Sequence, residues 1–223
     1  LKAGGGILST VNSVRKTPIE RIENETKSRL DTMLLHGTTT VESKSGYGLD
    51  FENEIKLLQV NKNLNGKHPV DIVSTYLGAH AVPEEFKDNR GAYIDLMINS
   101  VIPYVKEHEL AEFIDCFCEK GVYTTGEAKR ILEAGKKAGL KAKIHADEVE
   151  SVSAAELAGE IKAVSAEHLV SASDNGIKSL AENGVVAVLL PTTSFYLMLN
   201  KFARARKMIK DGVIVALATD CNP

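Results

Sequence analysis

Histidine and acidic residues follow apolar runs at several points of the sequence, a placement that suits metal or acid–base chemistry. His80, His145 and His168 each follow such a run, Glu148 comes three residues after His145, and Asp220 follows the last run. Imidazole and carboxylate groups are typical ligands of zinc or ferrous iron at catalytic centres that keep an open coordination position. The same groups can transfer protons near neutral pH. One such histidine is most often structural, but three in one chain favour a functional interpretation.

Other chemically interesting residues carry a weaker signal. Cys116 and Cys118 have no further ligand types nearby and are interpreted as two buried thiols. The run Gly4–Gly6 lacks the spacing of a dinucleotide-binding motif, so we expect a flexible loop. In the segment Lys44–Gly48 the glycines allow a tight turn that could present Tyr47, and a structural turn and a substrate loop are equally open on spacing alone. The remaining histidines are expected to be solvated: His36, His68 and His108.

Seven β-rich runs along the chain are the elements that must position these side chains. Near-continuous apolar runs bounded by polar residues are typical of strands buried on both faces of a parallel sheet. The predicted strands are Thr38–Val41, Val70–Leu77, Glu112–Phe117, Ala142–Ala146, Ala163–Ala166, Val185–Leu190 and Val213–Thr219. Because the carboxyl ends of parallel barrel strands converge on one mouth, the reactive residues that follow these strands are expected there.

Helical periodicity fills the gaps between the predicted strands. A long helical region before the first strand is interrupted near Pro18, and Asp50 is the expected N-cap of the next helix. Sequences typical of capping boxes begin at Thr124 and at Ser153. Gly139 is placed to end the helix that follows the first of these boxes.

The order of these elements predicts an α/β fold with a parallel sheet. One helical region, six strand–helix units and a final strand suit either a doubly wound sheet or a (β/α)8 TIM-type barrel. A barrel needs eight strands, whereas this chain begins with a helix and stops after its seventh strand. We therefore interpret residues 1–223 as a single barrel domain that holds strands 2–8 and is truncated at both ends.

Composition excludes several classes of protein. The 223 residues are 43% hydrophobic and 26% charged, which is typical of a globular chain and not of a disordered one. With 27 basic and 30 acidic residues the net charge is −3, so nucleic acid is a poor partner. No run of 18 apolar residues predicts a membrane span, and no signal segment opens the chain. The odd count of three cysteines argues against a disulfide scaffold and favours a cytoplasmic location.

Seven segments, in order along the whole chain, form a recognisable set: Glu42–Leu49, Leu77–Pro83, Phe113–Asp115, Phe117–Gly121, Ile144–Glu148, Ser165–Leu169 and Ala218–Pro223. The strings KSGYG and HADE within them are far more specific than a lone histidine. Together these segments resemble the imidazolonepropionase family of metal-dependent amidohydrolases.

The resemblance implies hydrolysis of the cyclic amide 4-imidazolone-5-propanoate to N-formimidoyl-L-glutamate, in histidine degradation. It also implies one divalent metal, zinc or iron, and a small-molecule substrate. A homodimer is the expected assembly, and the composition already argues against nucleic acid and membrane as partners. The implied roles are metal ligation by His145 and Asp220, substrate contact by Tyr47, His80, Glu148 and Asn222, and catalysis by Glu148, His168 and Asp220.

The chain departs from the family pattern in its N-terminal part. The family also holds its metal through an H-x-H pair on the first strand and binds the substrate carboxylate with an N-terminal arginine. The chain contains no H-x-H and lacks that arginine. We therefore expect a strand that ends in H-x-H to be encoded upstream of Leu1, and the chain to be either a fragment or the product of a truncated gene. Another amidohydrolase or deaminase acting on a cyclic amidine, and an inactive barrel fragment, remain alternatives.

Overall fold

A computed structural model describes residues 6–221, which fall into two compact units. Unit 1 runs as far as Ile114 and includes Ala138–Leu140, and unit 2 comprises Asp115–Lys137 and the residues from Lys141 onward. Most of the predicted glycine loop, Gly4 and Gly5, and the predicted substrate contact Asn222 lie outside the described residues. Each unit combines parallel strands with helices.

Unit 1 has a pair of parallel strands with helices before, between and after them. Thr40 of the first strand lies opposite Asp71 of the second, and the pairing continues to Lys44 opposite Thr75. The elements are α1 (Ile7–Lys16), α2 (Ile19–Leu35), β1 (Thr40–Lys44), α3 (Phe51–Leu64), β2 (Asp71–Ala79), a 3-10 turn (Glu84–Phe86), α4 (Arg90–Leu96), a π-helical segment (Met97–Val101) and α5 (Ile102–Glu107). Pro18 separates α1 from α2 as predicted, because proline has no N–H to continue the first helix.

The core of unit 1 forms where α2 and α3 pack against the two strands. Apolar side chains at helical spacing meet the apolar residues at the start of β2, which removes them from water. The central buried residues are Leu30, Val60, Leu64, Val70 and Ile72. The predicted N-cap is confirmed: the Asp50 carboxylate accepts the Asn53 N–H at 2.7 Å.

Unit 2 contains four parallel strands paired in chain order, β4 to β7. Its elements are β3 (Phe113–Cys118), of which the residues from Asp115 belong here, α6 (Thr125–Lys137), β4 (Lys141–Ala146), α7 (Ala154–Glu160), β5 (Ser165–His168), α8 (Asp174–Asn183), β6 (Val186–Leu189), α9 (Pro191–Tyr196), α10 (Ala205–Lys210) and β7 (Val215–Leu217). All seven predicted strands are therefore confirmed, with ends displaced by at most three residues. His145 lies opposite Glu167, which places both side chains on the same face of the sheet.

One predicted capping box forms and the other does not. Thr124 donates its N–H to the Glu127 carboxylate, and the Glu127 N–H returns to the Thr124 hydroxyl. The box predicted at Ser153 is wrong: Ser153 is left-handed, with φ 63°, and its hydroxyl does not cap α7. The buried carboxylate of Asp147 accepts the Ala155 N–H instead, at 3.0 Å. Asp147 therefore replaces Ser153 because it meets the same unpaired N–H groups from a neighbouring loop.

Two predictions about buried side chains have opposite outcomes. Cys116 and Cys118 are buried free thiols, as predicted, and burial raises the pKa of Cys118 to about 12. The prediction that His68 is solvated is wrong, because its Nε2 lies 3.0 Å from the Asp31 carboxylate and its Nδ1 accepts the Val70 N–H. Both ring nitrogens have partners, so this histidine tolerates burial. Across residues 6–221, no helix has both the length and the apolar character that a bilayer crossing needs.

Candidate functional site

Three of the predicted residues come together in unit 2, at the ends of β4 and β5. The ring centroids of His145 and His168 are 5.3 Å apart, and Nδ1 of His168 lies 3.6 Å from Oε1 of Glu148. All three residues are buried. Asp220 follows β7, is half-buried, and accepts a hydrogen bond from the Thr193 hydroxyl at 2.9 Å.

The electrostatic environment of Glu148 keeps its carboxyl near the point of titration. The pKa of Glu148 is raised to about 7, chiefly by burial; the nearby His145 opposes the rise, and the negative charges of Asp220 and Glu119 add to it. A carboxyl with this pKa is present in both its charged and its neutral form near neutral pH. Glu148 can therefore accept or donate a proton, as a general acid or base requires.

The imidazole of His145 is oriented by a residue that sequence reasoning did not single out. Nδ1 of His145 lies 2.9 Å from Oδ2 of Asp115, which is fully buried on β3. The other oxygen, Oδ1, accepts the backbone N–H of His145 at 3.2 Å and of Cys116 at 2.7 Å. This arrangement directs Nδ1 to the carboxylate and leaves Nε2 as the nitrogen that could bind a ligand. The available signal was an aspartate within an otherwise apolar strand.

A group of side chains around His145 has the chemistry of a metal site. Asp115, His145 and Glu167 are all buried and offer ligand atoms within 4.8 Å of one another. One imidazole with carboxylates is a donor set that zinc and iron accept, so the chemistry of this group fits a divalent metal site in which Asp115 contacts Nδ1 of His145. Among the described residues, this group contains one of the two predicted ligands, His145, and not Asp220.

The loop that carries Glu148 is held at both ends by carboxylates. Glu119, on the loop after β3, accepts the Val149 N–H at 2.9 Å, and Asp147 accepts the Val152 N–H at 2.8 Å. Sequence reasoning also missed these two carboxylates, whose partners are backbone groups that periodicity does not reveal. By binding amides that follow Glu148 in the chain, they restrict the backbone from which Glu148 projects.

Left-handed backbone occurs at the ends of the strands in unit 2. Asp147, His168, Leu169 and Asp220 have φ values between 50° and 69°. This conformation costs a residue with a Cβ about 1–2 kcal/mol. Such strain is concentrated at functional sites in proteins, and here it coincides with two predicted site residues.

The two predicted site residues that lie in unit 1, Tyr47 and His80, contact each other. Their rings meet edge to face with centroids 5.1 Å apart, and His80 Nδ1 lies 3.0 Å from the Gly46 carbonyl oxygen. Gly46 has φ +97°, and a Cβ there would lie 2.9 Å from the Leu77 carbonyl oxygen. At Gly48 a Cβ would approach the backbone of α3 to 2.5 Å. The turn therefore requires both glycines, and the two place Tyr47 against His80.

Comparison with curated proteins finds relatives that match the whole of this chain. No family model matches the sequence. An imidazolonepropionase of Geobacillus thermodenitrificans (strain NG80-2) is 58% identical over 223 residues, which is 100% of this chain and 52% of that protein. An imidazolonepropionase of Treponema denticola is 56% identical over 221 residues, 99% of this chain and 54% of that protein. The chain thus spans about half the length of the curated relatives that it matches.

Solved structures with a similar fold are deaminases and hydrolases. Adenine deaminase from Arthrobacter aurescens superposes with a TM-score of 0.68 at 13% identity, covering 95% of this chain and 65% of that one. For 5-methylcytosine deaminase from Klebsiella pneumoniae the TM-score is 0.69 at 14% identity, with 94% and 55% covered. For the atrazine chlorohydrolase TrzN of Arthrobacter aurescens, complexed with zinc, it is 0.64 at 14% identity, with 92% and 49% covered. These likenesses confirm the predicted α/β barrel class, in partial form. The matches along the whole of this chain confirm the resemblance that the sequence motifs indicated.

Proposed function

We propose that this chain is the barrel portion of an imidazolonepropionase, which hydrolyses 4-imidazolone-5-propanoate to N-formimidoyl-L-glutamate in histidine degradation. The observation that carries the proposal is 58% identity to such a protein along all 223 residues. The segments that place Tyr47, His80, His145, Glu148 and His168 all lie within that match. The assembly, with a homodimer expected, and the cytoplasmic location belong to the same proposal.

Opening a ring amide requires an activated water, a polarised carbonyl and a proton donor. When zinc or iron is bound, it supplies Lewis acidity that lowers the pKa of water and polarises a carbonyl. We assign His145 and Asp220 as the residues of this chain that would hold the metal. Asp115 supports this assignment, since it fixes the ring of His145 with Nδ1 turned toward its carboxylate.

The proton chemistry is assigned to the residues around His145. Asp220 accepts the proton of the attacking water at its carboxylate. Glu148 binds the ring nitrogens of the imidazolone, and its pKa of about 7 allows it to accept a hydrogen bond when charged and to donate one when neutral. His168, with Nδ1 3.6 Å from Glu148, orients substrate or water beside that carboxyl.

The remaining assignments come from the resemblance to the family. Tyr47 and His80 contact the propionate group or the oxyanion that develops at the carbonyl, for which a hydroxyl and an imidazole are suitable donors. Asn222 contacts the product. The edge-to-face packing of Tyr47 on His80 supports a shared role for these two side chains.

A deaminase that acts on a cyclic amidine is the second candidate. The fold likeness to adenine deaminase and 5-methylcytosine deaminase favours it, at 13% and 14% identity. Identity of 58% to an imidazolonepropionase favours the first candidate more strongly.

Substrate assays of the full-length gene product separate these candidates. The loss of 4-imidazolone-5-propanoate absorbance and the appearance of N-formimidoyl-L-glutamate would be followed in parallel with ammonia release from adenine and 5-methylcytosine. We expect ring opening with no ammonia. Ammonia release from a base, with the imidazolone left intact, would replace the first proposal by the second.

A further inference from the structure

The turn that carries Tyr47, defined as the tyrosine loop (Ser45–Asp50), is bound by a carboxylate from α3. Oε1 of Glu54 accepts the N–H of Gly48 at 2.8 Å and of Leu49 at 2.9 Å, and both carboxylate oxygens accept the Gly46 N–H at 3.0 and 3.1 Å. The Ser45 hydroxyl also bonds this carboxylate. One side chain therefore satisfies four donors of a single short loop.

Packing alone does not explain an acidic residue at this position of α3. Glu54 is 1% exposed, and Leu58, one turn further along the same face, is fully buried. Burying a carboxylate costs several kcal/mol unless hydrogen bonds compensate, so an apolar residue would suit the helix core better. Burial raises the pKa of Glu54, and the bonds from the loop oppose that rise. The hydrogen bonds from the loop, and not packing in the helix core, therefore account for a carboxylate at this position.

The carbonyl groups of the tyrosine loop are bound from the other side by α1. Nε of Arg15 donates to the Gly48 carbonyl at 2.7 Å, and its Nη2 donates to the Leu49 carbonyl at 3.1 Å. The same guanidinium pairs with Glu85 at 2.7 Å, in the segment that follows His80. Glu54 therefore binds N–H groups of the loop, and Arg15, which has the opposite charge, binds its C=O groups.

We propose that Glu54 and Arg15 are positioning residues that hold the tyrosine loop so that Tyr47 is preorganised for its substrate. This inference rests on the proposed function, in which Tyr47 contacts the substrate. A tyrosine between two glycines has a flexible backbone unless other groups restrain it. Binding the backbone on both sides of Tyr47 removes that freedom before the substrate arrives.

Amide hydrogen exchange of the full-length gene product tests the restraint without any assay of activity. The variants are Glu54→Gln, which removes the charge and turns an amide N–H toward the loop donors, and Glu52→Gln, an exposed control on the same helix. We expect exchange in residues 45–50 to rise at least about tenfold in Glu54→Gln and to stay unchanged in Glu52→Gln. Unchanged exchange in Glu54→Gln would overturn the proposal.

A second pair of variants covers the case in which Glu54→Gln does not fold. Arg15→Gln removes the guanidinium from a partly exposed position, and Arg21→Gln is the control, since Arg21 pairs with Glu25 on the surface of α2. Faster exchange in residues 45–50 is expected for Arg15→Gln alone. Equal exchange in the two variants would refute the role of Arg15.

A double-mutant cycle on the full-length gene product tests whether the restraint acts through Tyr47. In the wild-type background we expect Glu54→Gln to raise KM for 4-imidazolone-5-propanoate by about 10- to 100-fold, the effect of a small misplacement. In a Tyr47→Ala background we expect the same change to alter KM by less than about twofold. An equal loss in both backgrounds would refute action through Tyr47. If the wild-type protein does not turn over this substrate, the proposed function fails, and the exchange experiment still decides the positioning role.

Discussion

Replacing Asp115 by asparagine should weaken metal binding by His145 while leaving the fold in place. The carboxylate makes three contacts, to Nδ1 of His145 at 2.9 Å and to the backbone N–H groups of His145 and Cys116 at 3.2 and 2.7 Å. Asparagine has nearly the same shape and retains one oxygen that can accept the two backbone bonds. What it loses is the charge opposite the imidazole.

The size of the effect follows from which contacts survive. Removing the partner that orients a metal-binding histidine typically costs 10- to 100-fold in affinity, which corresponds to about 1.4–2.7 kcal/mol. Because the two backbone bonds can be kept, we expect a loss in unfolding free energy of no more than about 1–3 kcal/mol. Metal affinity should therefore fall clearly in a protein that is still folded.

The assay is competition for zinc between the full-length gene product and a chelator of known affinity, with the melting temperature measured in parallel. Asp211→Asn is the matched control, since Asp211 pairs with Lys207 on the surface at the end of α10. A surface pair of this kind contributes about 0–1 kcal/mol and should leave zinc affinity unchanged. If Asp115→Asn binds zinc within twofold of the wild type, Asp115 does not orient the metal-binding ring.

Three further substitutions test other parts of the site. Asp220→Asn should abolish turnover and preserve the far-UV circular dichroism spectrum, and turnover within about tenfold of wild type, only ~1.4 kcal/mol in barrier, would exclude the assigned role. Glu148→Gln should lower kcat/KM and retain stoichiometric metal, because the neutral amide cannot take up a proton; metal loss measured by elemental analysis would instead make Glu148 a ligand. Gly46→Ala should destabilise the protein by about 1–3 kcal/mol in thermal denaturation, because its φ is +97° and its Cβ would meet a carbonyl oxygen at 2.9 Å. Gly66→Ala, at φ +79° with no atom within 4 Å of the Cβ, should cost less, and equal losses would show that the close contact is unimportant.

The strands and most helix ends could be predicted because their signals are local. Seven apolar runs marked the seven strands, and the bonds at Asp50 and Thr124 join residues only three apart in the chain. The local sequence around Ser153 predicted a cap that does not form. Its role passes to Asp147, whose access to the start of α7 depends on a left-handed turn after β4.

The supporting carboxylates of the site could not be predicted for a related reason. Glu54 occupies a position that the charge pattern of an ordinary amphipathic helix also explains, and only the folded tyrosine loop reveals its four donors. Asp115 lies next to His145 through strand pairing, at a separation of 30 residues. The side chains proposed to react stand at strand ends and were visible in the sequence, whereas the groups that orient them become neighbours only in the folded chain.

The Glu54 carboxylate and the first amide that it binds are eight residues apart in the chain. The tyrosine loop and Glu54 are therefore inherited together as one short stretch of sequence, and a single recombination event could move both into another barrel. Within that stretch Glu54 binds the Ser45 hydroxyl and the backbone N–H groups of Gly46, Gly48 and Leu49, and the side chain of Tyr47 takes no part in these bonds. The residue at position 47 can consequently change over evolutionary time while its frame persists, which would let a lineage acquire a new substrate preference by one substitution.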